Sequence, residues 1–189
     1  MKTERLNAFT DGVLAIVITI MVLELPTPHG TDFASLRPVL PLFGAYLLSF
    51  VNVGIFWSNH HHMLQAAGKV DGRVLWANNA LLFSLSLVPF VIRWIGEEGI
   101  QALPVASYGA VLILAAASYL LLERSLIAVE GEESKVKAAV GSRHKEWISF
   151  IGYSSALPLA FVSPYISVAI YVAVSAMWLV PDRRFERWR

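Results

Sequence analysis

The sequence predicts an all-α integral membrane protein with six transmembrane helices, and three observations carry that prediction. Of the 189 residues, 56% are hydrophobic and the mean hydropathy is +0.58, too apolar for a soluble domain of this size. Apolar runs near the roughly 20 residues needed to cross about 30 Å of hydrocarbon recur six times, at 6–25, 38–58, 74–95, 103–122, 147–163 and 165–180. Lys and Arg are sorted by side: with the N-terminus inside, 13 of the 15 fall in inner segments, leaving only Arg37 and Arg93 outside. Both termini are therefore expected in the cytoplasm, and residues 1–189 read as one six-helix domain.

Each element can be justified in turn. Helix one follows Met1-Lys2-Thr3-Glu4-Arg5, a start that resembles a secretory leader. No small-x-small cleavage site follows it, and Pro26-Thr27-Pro28-His29-Gly30 reads as a loop, so the run counts as a span. Helices two and three are separated by Gly68 to Arg73, and helices three and four by Glu97-Glu98-Gly99. Residues 123–146 carry both charge signs and read as a solvated cytoplasmic linker with a short surface helix. Helix five ends at Ser163-Pro164, and helix six is short enough that it must tilt little or sit where the bilayer thins.

Several function classes fall away. Cysteine is absent, which removes disulfides and thiolate metal sites. No glycine-rich phosphate loop, HExxH or G-x-S-x-G is present, so the chain does not read as an enzyme and no cofactor is expected. His60, His61 and His62 are adjacent and point about 100° apart on a helix, so they cannot share one ion. No second membrane helix offers a histidine for a two-ligand haem. The basic tail of Arg183, Arg184, Arg187 and Arg189 suits topology and anionic lipid, not nucleic acid.

Helix one carries charge where lipid should keep it apolar. Asp11 lies at or just inside the inner boundary and cannot face lipid. Arg5 is about 120° away around the axis, so the two should not pair within the helix. Trp57 to His62 at the end of helix two and Trp76 to Asn79 at the start of helix three arrive at the same depth. Together they suggest a network of carboxylate, imidazole, indole and amide groups, which either locks three helices together or also serves gating. Ile16, Thr19, Ile20 and Leu23 form a stripe at i, i+3, i+4 and i+7, continued inward by Gly12 and Phe9 and about 140° from Asp11. From pattern alone such a stripe faces lipid or core.

Arg5-x-x-x-Phe9-Thr10-Asp11-Gly12, running on to Leu23-Glu24, resembles the R-x-x-x-F-S-D signature of the lysosomal-type potassium channels, the transmembrane protein 175 family, in its bacterial single-repeat form. Trp57-x-x-His60-His61, and Asn78 with Pro89-Phe90 eleven residues later, resemble that family's second and third helices. The last three helices agree mainly in number and polarity. Thr10 stands where serine is usual, which keeps the hydroxyl, and His62 is an additional histidine without an assigned role.

The resemblance implies a homotetramer in which four copies of helix one line a pore, closed by hydrophobic rings instead of a carbonyl filter; no TVGYG-like loop occurs. By position it implies Ile16 as the innermost constriction, Thr19 as a hydroxyl layer favouring permeant potassium, and Ile20 and Leu23 as rings above. It implies that Arg5, Phe9, Thr10, Asp11, Trp57, His60, His61 and Asn78 hold helix one to helices two and three. Glu24, within 40° of Ile20 around the helix, reads as an acidic outer mouth or a solvated interfacial carboxylate. Gly12 is a candidate flexing point or a close-packing position. The expectation is a potassium channel of a prokaryotic plasma membrane; the alternatives are a secondary transporter or proton-coupled carrier, and a structural membrane scaffold.

Overall fold

The computed structural model describes residues 3–131, 134–140 and 143–179. Lys2, the basic tail and the last residue of the sixth run lie outside them. Every regular element among the described residues is helical: α1 (Thr3–Leu23), a short 3-10 turn (Phe33–Leu36), α2 (Leu40–Ala66), α3 (Gly72–Ser86), α4 (Val88–Glu98), α5 (Ala102–Glu130), α6 (Lys135–Val140), α7 (His144–Ala160) and α8 (Pro164–Leu179). Four stretches are long and apolar enough to cross a membrane: α1, α2, α3 with α4, and α5. The fifth and sixth runs appear as the shorter α7 and α8.

α5 is the centre of the fold. It packs against α3, α7 and α4, and α7 in turn packs on α8, while α1 lies against α2, α3 and α4. The core runs along this axis through Leu112, Ala115, Leu122 and Leu126 of α5 and Leu81, Leu85 and Ile92 of α3 and α4, all essentially inaccessible. Side chains tie one end of the bundle together, because Gly68 N donates to Glu130 Oε1 at 2.6 Å and Trp178 Nε1 to Ser149 Oγ at 2.8 Å.

Two expectations are corrected. The third apolar run is not one helix but two, divided at Leu87. Pro89 has no N–H for the carbonyl four residues earlier, and its ring crowds that turn. Leu87 N instead closes the end of α3 on Ser84 O at 3.3 Å, and Ser86 Oγ bonds Phe83 O at 2.7 Å. Nor does the charged segment begin as a solvated linker over 123–130. α5 continues to Glu130 because Leu126, Ile127 and Val129 carry its apolar side past the first charges. Glu123 is only 1% exposed and is ion-paired with Arg143, while Val136 of α6 is wholly buried.

Close approach of α5 and α8 depends on Gly109. A Cβ there would stand 2.9 Å from Tyr171 Cζ and nearer still to the hydroxyl. That hydroxyl is buried and held by Val105 O at 3.1 Å. Overpacking of this kind typically costs about 1–3 kcal/mol. Gly109→Ala is therefore expected to lower the melting temperature of the purified protein, and adding Tyr171→Phe to restore part of the loss.

Candidate functional site

α1 has two unlike sides. Leu6, Thr10, Leu14, Val17 and Met21, spaced by three or four residues, are buried against the rest of the chain. The broad remainder is not: Ile16 is 59% exposed, Ile20 40%, Leu23 80% and Phe9 55%, and Arg5, Asp11, Gly12 and Thr19 share that exposed surface. Thr19 Oγ1 donates to Ile16 O at 2.9 Å, which uses its proton and leaves its lone pairs available. Among the described residues, nothing beyond its own turn of helix lies within 4 Å of a Cβ built on Gly12, so no close helix packing there requires a glycine.

The polar residues meet at one depth, as their positions suggested, but in two groups instead of one. Thr10 of α1, His60 of α2 and Asn78 of α3 form a fully buried triad. Asn78 Nδ2 donates to Thr10 Oγ1 at 3.1 Å. Its Oδ1 lies 2.8 Å from His60 Nε2; an amide oxygen only accepts, so the imidazole donates there. Three helices are thereby fixed at one level.

Asp11 is not the centre of that network. It lies on the exposed side and accepts one bond, from Trp57 Nε1 at 2.8 Å. His61 stacks on the Trp57 ring with centroids 5.9 Å apart, and its Nε2 is 2.8 Å from Gln65 Nε2, so it orients the indole from within α2. His62 meets His61 edge to face at 5.8 Å. Arg5 and Phe9 are not drawn into either group. The physical reason is rotation: Thr10 and Asp11 are neighbours and point about 100° apart, so only one can face inward.

The other end of α1 holds a contact that sequence reasoning missed. Arg93 Nε of α4 stands 3.7 Å from Glu24 Oε2 and donates to Glu97 Oε1 at 2.9 Å. Glu24 is thus a partnered carboxylate, not an open one. Arg93 was one of only two Lys or Arg residues expected outside, and its i, i+4 relation to Glu97 was the available signal. Also missed was a cluster of polar groups between α2, α5 and α8. Ser49 Oγ and Asn52 Nδ2 lie 3.0 and 3.3 Å from the buried Tyr108 hydroxyl, and Ser175 Oγ donates to Asn52 Oδ1 at 3.0 Å. Polar residues inside apolar runs would have pointed to it. Among the described residues no group of three or more His, Cys, Asp or Glu is placed to hold a metal ion.

The split between Thr10 and Asp11 has a measurable consequence. Asp11→Ala removes one bond at an exposed position and is expected to cost about 1 kcal/mol, whereas Asp11→Asn, which keeps an acceptor for Trp57 Nε1, should cost less. Denaturation of the purified variants side by side checks the order.

Several known proteins are similar to this chain. The family model described as endosomal/lysosomal potassium channel TMEM175 matches residues 5–89, from the start of α1 through the Pro89 break. A potassium channel of Chryseobacterium sp. (strain P1-3) is 51% identical over 187 residues, covering 99% of this chain and 97% of that protein. A potassium channel of Chamaesiphon minutus is 30% identical over 185 residues, 89% of each chain. The crystal structure of a lysosomal potassium-selective channel TMEM175 homolog from Chamaesiphon minutus superposes with a TM-score of 0.79 at 25% identity, covering 94% of this chain and 96% of that one.

Proposed function

Since this chain belongs to the TMEM175 family of potassium channels, a family of channels and not of enzymes, we propose that it is itself a potassium channel, assembled as a homotetramer around four copies of α1. The observation that carries this reading is the exposed side of α1. A membrane helix that keeps Asp11 on the same exposed side as Thr19 cannot present the carboxylate to lipid without a cost of kilocalories. Copies of the same helix around a water-filled axis remove that cost, because Ile16, Thr19, Ile20 and Leu23 then face the axis and Asp11 with Trp57 meets a neighbouring subunit.

In this arrangement Ile16 is the innermost constriction. A ring of isoleucines offers methyl groups where a cation needs oxygen, so a narrow ring empties of water and stops ions. Thr19, whose proton is already given to Ile16 O, turns lone pairs toward the axis and forms the layer at which a partly dehydrated potassium ion finds ligands. Ile20 and Leu23 continue the apolar wall outward. Glu24, held by Arg93, leaves a net negative charge at the outer mouth together with Glu97, which concentrates cations more strongly at low salt. Six spans with both termini in the cytoplasm, in a prokaryotic plasma membrane, fit the distribution of Lys and Arg.

Recording from the purified protein in planar bilayers tests the proposal. Unitary current steps whose reversal potential follows the potassium gradient are expected, from a particle whose mass in mild detergent is four subunits. Saturable flux with fixed coupling and no unitary steps would establish a carrier, and a monomer or dimer as the largest species would remove the shared axis.

A further inference from the structure

We propose that the cavity between α2, α5, α7 and α8 binds a small primary ammonium cation of about the size of methylammonium. The cavity, about 60 Å³, lies at the end of the bundle where α7 begins, and its walls include Phe56, Tyr119, Tyr153, Trp178 and the carboxylate of Glu146. Glu146 Oε2 is inaccessible to solvent and accepts no hydrogen bond among the described residues. A buried carboxylate oxygen without a donor is costly, and nearby charge does not supply one. Arg143 is engaged with the buried Glu123, and Lys145 Nζ lies 5.5 Å from the centroid of Trp178.

The chemistry of the lining selects the guest. An ammonium head brings three N–H donors and one positive charge, for Glu146 and for the amide oxygen of Asn59, which also lines the cavity. Aromatic faces attract that charge and pack against its methyl group. An anion would meet the charge of Glu146, and a quaternary ammonium has no N–H to donate to it. Asn59 lies between Trp57, which donates to Asp11 of α1, and His60, which bonds Asn78 of α3, so a bound cation acts beside the contacts that hold the helix carrying the proposed pore.

The test is a melting series on the full-length protein in detergent, with methylammonium chloride replacing sodium chloride at constant ionic strength. Wild type is expected to gain about 3 °C with saturation in the millimolar range, and potassium or tetramethylammonium less than a third of that. Glu146→Gln should lose the gain, as should Ala116→Leu, which fills the cavity and keeps the carboxylate. Thr19→Val should keep it, which separates this site from any binding in the pore. No saturable gain in wild type, an equal gain in Glu146→Gln, or an equal gain with tetramethylammonium would overturn the proposal. Should Glu146→Gln not fold, an undiminished gain in Ala116→Leu would overturn it alone.

Discussion

Replacing Ile16 by asparagine is expected to raise unitary conductance several-fold, while Thr19→Val is expected to leave conductance near its original value and pull the reversal potential under opposed potassium and sodium gradients toward zero. The two residues sit one turn apart on one exposed side of α1, yet they offer different chemistry. Asparagine puts four amides into a ring that held only hydrocarbon, which lets water and therefore ions remain there. Valine has the shape of threonine without its lone pairs, so it removes a ligand and little volume. If the same side of α1 met lipid, Ile16→Asn would impair insertion and Thr19→Val would be silent. Unchanged selectivity in Thr19→Val with no conductance gain in Ile16→Asn would sink the pore assignment.

The largest loss of stability is expected from Asn78→Leu. Interhelical hydrogen bonds in membranes contribute only about 0.6 kcal/mol each on average, so the bonds themselves are the smaller part of the effect. What decides the outcome is that both partners, Thr10 and His60, are fully buried; each, left without Asn78, costs about 1–3 kcal/mol. Folded yield and melting temperature should fall well beyond the values for Asp11→Ala. Combining Thr10→Val with Asn78→Leu should recover part of the loss, because the stranded hydroxyl is removed along with its partner. A double variant no better than the single one would locate the damage in packing instead.

Much of this molecule was readable in the linear sequence, because hydropathy and length specify apolar helices directly. Helix order placed Asp11, Trp57, His60 and Asn78 at a common depth, and all of them are found in cross-helix contacts there. Which group joins which was not readable. Depth follows from counting residues, but partnership depends on how far each helix is rotated about its own axis, and a rotation of one residue exchanges Thr10 for Asp11. The same limit hid the contact of Arg93 with Glu24, which joins residues 69 positions apart. Charge misled over 123–130, where Glu123 looked like a solvent residue; its burial depends on pairing with Arg143, and a separation of 20 positions conceals that.

The division at Leu87 gives α1 two separate moorings. α3 grips it at Thr10 through Asn78, and α4 meets it at Glu24 through Arg93. These points are about 21 Å apart along the helix at 1.5 Å per residue. A rod pinned near both ends does not slide; it bows, and the sideways travel is greatest at mid-length, close to residue 17. Ile16 occupies that position, so small tilts of the two half-helices about the proline joint would be delivered as lateral displacement at the one ring proposed to be closed, while the ends of α1 stay where they are.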